Sequence, residues 1–213
     1  MVLIMEKKNI VLTLFLLMIV LFSGCVQQKA GNEISSNKKD VYSNKTLMFE
    51  MKVPPGWKSD VMWQGPYGGV INFVNDKYPW WPSGDSGAIR LDLETYGTLS
   101  IVQVSMDTQL VPIGYTLEYA RSEELKREEG ITYEGNTKLG GERAWEIIRK
   151  YRLINSYKTV GDLYQRDINV IHGKRSYVLR FKVISTDAGK RNNATAELEP
   201  NFNEIFESFK FID

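Results

Sequence analysis

The segment Leu47-Met48-Phe49-Glu50-Met51-Lys52-Val53-Pro54-Pro55-Gly56-Trp57 carries the clearest structural pattern in the chain. Leu47, Phe49, Met51 and Val53 occupy alternate positions, which predicts a β-strand with one buried face. The strand is expected to stop at Pro54-Pro55-Gly56, because proline cannot donate a ladder hydrogen bond and glycine favours a turn.

Similar short runs rich in apolar and aromatic residues continue along the chain and predict further strands. These lie at 57–63, 70–74, 99–106, 134–139, 144–153, 162–171 and 177–184. Gly140-Gly141 and His172-Gly173-Lys174-Arg175 are predicted to be hairpin turns, since glycine supplies the positive backbone angles that tight turns need. Strands joined by hairpins predict a mainly antiparallel sheet.

Two segments change to helical spacing. Phe202, Ile205, Phe206 and Phe209 recur at i, i+3, i+4 and i+7 after Pro200, which predicts a C-terminal helix with this stripe against the core. A mid-chain helix is expected between an N-cap at Thr116 and a stop at Gly130, with a charged, solvated face. The predicted fold class is therefore α+β, a mainly antiparallel β-sheet packed with a mid-chain and a C-terminal helix.

Residues 47–57 resemble the opening strand and Pro-x-Gly-Trp corner of the PsbP/Mog1-like family. Tyr177-Val178-Leu179-Arg180-Phe181, followed by the C-terminal stripe and Ser208, Lys210 and Phe211, is similar to the family's closing strand and helix. The resemblance implies a sandwich of sheet and helices. It also implies a binding or assembly role, because photosystem II subunits, a Ran-binding protein and many prokaryotic lipoproteins share this fold. None of the functional residues of these proteins can be placed in this sequence.

The N-terminus has the order of a secretory signal. Glu6, Lys7 and Lys8 precede an apolar run, 10–22, which is shorter than the roughly 20 residues of a membrane-spanning helix. Leu21-Phe22-Ser23-Gly24-Cys25 resembles the lipobox of prokaryotic, including archaeal, lipoproteins, although Phe22 stands where leucine is usual. The resemblance implies cleavage before Cys25 and lipid attachment to its thiol. A permanent span and a plain signal peptide with an incidental cysteine are the alternatives.

Three regions follow from this interpretation. Residues 1–24 are a signal peptide, 25–44 a lipidated cysteine and flexible tether rich in Gln, Lys, Asn and Ser, and 45–213 a single globular domain. The expected location is the outer face of the cell membrane. With 27 basic and 26 acidic side chains the protein has no basic excess, so nucleic acid is not an expected partner.

The residue inventory argues against most catalytic chemistry. Cys25 is the only cysteine and His172 the only histidine, and His172 falls in a predicted turn, so no catalytic residue, metal site or cofactor is predicted. Carboxylates remain, chiefly Asp76, Asp85, Asp92, Glu94 and Asp107, and these are expected to be surface charges. A hydrolase that uses carboxylates in a cleft is the alternative to a binding or assembly module.

The expected binding loop spans 75–87, where Pro and Gly exclude regular structure. Tyr78, Trp80, Trp81 and Asp85 are its candidate contact residues for a protein or another surface ligand. The alternative is a hydrophobic flap that closes the edge of the core. Asn44 and Asn193 begin Asn-x-Thr triplets and are candidate glycosylation sites in predicted loops.

Overall fold

The computed structural model describes residues 40–75, 77–78, 101–126, 129–155, 158–185 and 187–212. In chain order the described elements are β1 (Val41–Asn44), β2 (Phe49–Lys52), β3 (Trp57–Gly65), β4 (Gly68–Asn75), β5 (Ile101–Leu110), α1 (Leu117–Leu125), β6 (Ile131–Leu139), β7 (Glu142–Asn155), β8 (Lys158–His172), β9 (Arg175–Ser185), α2 (Ala188–Ser208) and β10 (Lys210–Phe211). Within these residues, no helix combines the length and apolar character needed to cross a bilayer.

The strands form two sheets. A seven-stranded sheet has the order β3-β4-β5-β9-β8-β7-β6, and a three-stranded sheet has the order β1-β2-β10. Every described strand pair is antiparallel. The predicted α+β class with a mainly antiparallel sheet is therefore confirmed.

One face of the large sheet, called here the inner face, packs against α2 and the small sheet. Phe73, Met106 and Phe181 on this face are fully buried, as are Phe49 of β2 and Phe202 of α2. The Phe202 ring stacks on the Phe181 ring with centroids 5.3 Å apart. This packing explains why residues 47–53 alternate, since a strand buried on one face must present an apolar side chain at every second position.

The C-terminal stripe lies where the sequence predicts, but its helix is longer. Phe202, Ile205 and Phe209 are buried and Phe206 is half-buried. Helix α2 starts at Ala188 instead of Pro200, after the Asp187 side chain caps it by accepting from the Lys190 N–H at 2.8 Å.

Other expected boundaries also shift. Residues 41–44, assigned to the tether by composition, form β1 and pair with β2. Helix α1 begins after the predicted cap, with Thr116 Oγ1 accepting from the Tyr119 N–H at 3.1 Å, but it ends at Leu125, before Gly130. Gly140, Gly141 and Gly173 have positive φ, as the predicted hairpin turns require.

Candidate functional site

The opposite face of the large sheet, called here the outer face, contains a group of buried polar side chains. The register of β9 with its neighbours places Arg180 between Ser105 of β5 and Asp167 of β8, all at positions that alternate with the core residues. Helix α1 packs on β7 and β8. The polar cluster consists of Asp107, Glu124, Arg149, Gln165, Asp167 and Arg180.

Asp167 is the centre of the polar cluster and is 3% exposed. Its Oδ1 accepts from Arg180 Nε at 2.8 Å, and its Oδ2 accepts from Gln165 Nε2 at 2.6 Å and from Arg180 Nη2 at 3.4 Å. Arg149 Nη1 lies 3.8 Å from the same Oδ2. A buried carboxylate is tolerated when it is paired and hydrogen-bonded in this way.

The two arginines extend the polar cluster in opposite directions. Arg180 Nη1 donates to Asp107 Oδ2 at 2.8 Å, which ties β9 to β5. Arg149 Nη2 donates to Glu124 Oε2 at 2.9 Å and to the Glu124 carbonyl oxygen at 3.3 Å, which ties α1 to β7. The polar cluster is therefore one of the contacts that hold α1 on the outer face, together with the hydrogen bonds from Arg121 to Glu134 of β6.

Charge in the polar cluster changes the pKa of two basic groups. Burial lowers the pKa of the Arg180 guanidinium, but the negative charges of Asp167 and Asp107 outweigh burial, so the pKa is raised overall. Burial lowers the pKa of the neighbouring Lys182 ammonium, and the positive charge of Arg180 adds to this effect. The surroundings therefore favour the charged form of Arg180 and disfavour the charged form of Lys182.

The chemistry open to the polar cluster is limited. Its carboxylates are engaged by arginine, so none is free to act as a general base or nucleophile in this geometry. The Ser105 hydroxyl is buried without a hydrogen-bond partner. In the described part of the chain, no three His, Cys, Asp or Glu side chains come together as a metal site. The arrangement is that of a structural ion network.

His172 lies away from the polar cluster, at the end of β8. Its ring stacks on Phe211 with centroids 4.0 Å apart, and Nδ1 is 3.3 Å from Glu142 Oε1. The imidazole thus packs against the C-terminal strand β10.

A second surface lies at the end of the large sheet that contains the β3–β4, β6–β7 and β8–β9 turns. Large apolar side chains are exposed there: Trp63 by 52%, Tyr67 by 74%, Leu110 by 42% and Ile113 by 104%. We call these four residues the turn-end patch. Isolated exposed apolar residues are common, but a group at one end of a domain is typical of an interaction surface.

Hydrogen bonds hold the turn-end patch together. The Leu110 N–H donates to the Tyr67 carbonyl at 2.7 Å, and Arg175 Nη2 donates to the Pro66 carbonyl at 3.1 Å. Gly68 lets the β3–β4 turn approach β5, because a Cβ at this position would lie 2.2 Å from the Thr108 carbonyl oxygen. The exposed side chains are therefore carried on a fixed backbone.

The sequence itself contains a signal for the turn-end patch. Tyr67 stands between Pro66 and Gly68, and Ile113 stands between Pro112 and Gly114. Proline and glycine place both residues in turns, where side chains are exposed. A large apolar residue in such a position indicates a surface role.

Of the expected binding loop, Tyr78 is described, and it is anchored to the domain. Its ring is half-buried against the core, and its hydroxyl donates to Glu197 Oε2 of α2 at 2.7 Å, while Lys77 pairs with the same carboxylate. Burial and the Glu197 contact raise the pKa of the Tyr78 phenol. Trp80, Trp81 and Asp85 lie outside the described residues, as does Cys25, so their assignments stay predictions.

The carboxylates and sequons of the sequence are also distributed differently from the expectation. Asp107 belongs to the polar cluster, whereas Asp76, Asp92 and Glu94 lie outside the described residues. Asn44 ends β1, where its buried amide donates to Gln64 Oε1 at 2.8 Å, and Asn193 is an exposed residue of α2. The prediction that both sequons lie in loops is wrong, and their glycosylation stays a prediction.

No family model matches the chain, and no curated protein sequence matches it. Among solved structures, the chain is similar to PsbP (CyanoP) of the cyanobacterium Synechocystis, with 12% identity, a TM-score of 0.43 and coverage of 80% of this chain and 91% of that one. It is also similar to LpqN of Mycobacterium tuberculosis, a protein involved in cell envelope biogenesis, with 18% identity, a TM-score of 0.40 and coverage of 78% and 83%.

The Ran-binding protein Mog1p of Saccharomyces cerevisiae has 9% identity and a TM-score of 0.45, with coverage of 81% of this chain and 95% of Mog1p. PsbP and Mog1p are the two proteins that name the family resembled by residues 47–57. At these identities and TM-scores the likeness concerns overall architecture, and no function is assigned from it.

Proposed function

We propose that the protein is a lipid-anchored binding or assembly module on the outer face of the cell membrane. The proposed location rests on the sequence, in which an apolar run is followed by Leu21-Phe22-Ser23-Gly24-Cys25. Cys25 is the only cysteine, and an unpaired thiol in an oxidising compartment is a liability that lipid attachment removes.

The observation that carries the binding role is the turn-end patch. It presents four large apolar side chains on a backbone fixed by hydrogen bonds. A rigid surface loses little conformational entropy on binding, so apolar contacts made there contribute to affinity. The competing hydrolase would need a free carboxylate, whereas the carboxylates of the polar cluster are engaged by Arg149 and Arg180.

Fractionation of cells that express the full chain tests this function. Wild-type protein is expected in the membrane fraction and accessible to protease added outside intact cells, whereas Cys25→Ser should be released or remain uncleaved. A matched variant, Asp60→Ser, should stay in the membrane fraction, because Asp60 is exposed, lies outside the turn-end patch and is distant from the anchor in sequence. A Cys25→Ser protein that is cleaved to the size of the wild type and retained equally in the membrane fraction would contradict the lipid anchor.

A further inference from the structure

We propose that the turn-end patch contacts lipid directly, so that the domain rests with this end of its sheet on the membrane that holds its anchor. The inference rests on the proposed function, since it takes the lipid on Cys25 as the tether. It identifies the lipid surface as the binding partner of the turn-end patch.

The side chains of the turn-end patch are of the types that membrane interfaces favour. Tryptophan and tyrosine concentrate at membrane interfaces, where the ring is shielded from water and the polar tip stays hydrated. Trp63 and Tyr67 supply such rings, and Leu110 and Ile113 supply aliphatic groups that gain from leaving water. Ile113 is the most exposed of the four.

Basic residues at the same end of the molecule also favour contact with a membrane. The antiparallel order brings the described connections 45–48, 66–67, 111–116, 140–141 and 173–174 to this end of the sheet, and they contain Lys45 and Lys174 but no Asp or Glu. Arg175 follows directly and binds the Pro66 carbonyl. Cationic side chains beside apolar ones favour a surface of anionic lipid headgroups, with about 1 kcal/mol for each basic residue near the surface.

Two acidic side chains near this end have partners on neighbouring elements. Glu142 at the start of β7 faces His172, with 3.3 Å between Oε1 and Nδ1, and Glu118 of α1 pairs with Arg143. The described turns therefore present a surface that is apolar and basic, which an anionic bilayer complements.

The tether is long enough to let this end of the domain meet the membrane. Residues 26–39 separate Cys25 from the described domain and can span at most about 50 Å when extended. Strand β1 then runs from Val41 to Asn44, about 13 Å at the rise of a strand, toward the turn end. The tether is therefore long enough for the turn-end patch to touch the bilayer, and tethering raises its effective concentration there.

The single cysteine makes a direct test possible. In the full lipidated chain Cys25 carries no free thiol, so Ile113→Cys introduces one site for an environment-sensitive fluorophore. Asn193→Cys is the matched control, because Asn193 is also exposed but lies near the start of α2, which follows the opposite end of β9. Both labelled proteins are reconstituted into vesicles of mixed zwitterionic and anionic lipids.

The proposal predicts that the label at position 113 shows blue-shifted emission and a several-fold fall in quenching by aqueous iodide on vesicles, while the label at 193 shows neither. Adding Lys174→Glu should reduce the protection at 113 on anionic vesicles. Equal iodide quenching at 113 and 193 on vesicle-bound protein would overturn the proposal, as would protection at 113 that needs a second protein.

Failure of the anchor gives a different result from failure of the lipid contact. Without lipid on Cys25, its thiol reacts with the fluorophore in the wild type as well, whether or not the protein floats with vesicles. With the anchor intact, the wild type floats and only the iodide comparison between positions 113 and 193 decides the proposal.

Discussion

Replacing Asp167 by alanine would remove the centre of the polar cluster. The carboxylate is 3% exposed and accepts hydrogen bonds from Arg180 at 2.8 Å and from Gln165 at 2.6 Å, while Arg149 lies 3.8 Å away. Its loss leaves two guanidinium groups without this partner in a buried site. Breaking a buried ion pair from one side costs about 3 to 5 kcal/mol.

For a protein of this size, each kcal/mol lowers the melting temperature by about 2 to 4 °C, so Asp167→Ala should melt about 6 to 20 °C below wild type. Thermal unfolding followed by circular dichroism measures this difference. Asp60→Ala is the control, because Asp60 is an exposed aspartate on β3, at the edge of the same sheet, and should change stability by no more than about 0.5 kcal/mol. If both variants melt within about 1 °C of wild type, the polar cluster does not hold the outer face together.

Three further predictions concern other parts of the domain. Phe202→Ala should cost about 3 to 5 kcal/mol in denaturant titration, because the ring is fully buried against Phe181, and a loss below about 1 kcal/mol would contradict the packing of α2. Tyr78→Phe should cost about 1 kcal/mol by removing the hydrogen bond to Glu197, and an unchanged unfolding midpoint would show that this contact is not formed in solution. Lys182→Met should raise the melting temperature at pH 7, because the pKa of Lys182 is lowered in the fold and its charged form is disfavoured there. That gain should shrink as the pH rises toward the ordinary value of 10.5, since above it the lysine is neutral in both states, and a gain that is independent of pH would exclude this cause.

The sequence predicts the inner face of the sheet well because burial on one face requires apolar residues at periodic positions. Phe49 and Met51 alternate with polar residues, and Phe202 and Ile205 keep helical spacing, as the structure confirms. The first half of α2 has no such periodic apolar pattern. Its buried face contains Arg191, Ala194 and Leu198, and Ala and Arg do not form a recognisable apolar stripe.

Pro200 therefore predicts the start of the helix from the sequence, since proline is favoured in a first turn, whereas in the structure it is an exposed residue inside α2. The outer face is equally hard to predict. Ser105, Asp167 and Arg180 resemble solvent-facing residues in sequence, because the partners that compensate a buried charge lie on other elements, as Asp107 lies 73 positions from Arg180. Tyr67 illustrates the reverse problem, since an exposed aromatic residue in a turn resembles a core residue by composition alone.

The proposed location can be tested most directly by the mass of the N-terminal peptide of the mature protein isolated from membranes. A lipid anchor predicts that the peptide begins at Cys25 and carries the mass of lipid on its thiol, and that Cys25→Ser yields no such peptide. A peptide that begins at Met1, or a mature membrane-bound protein with an unmodified Cys25 thiol, would contradict the account.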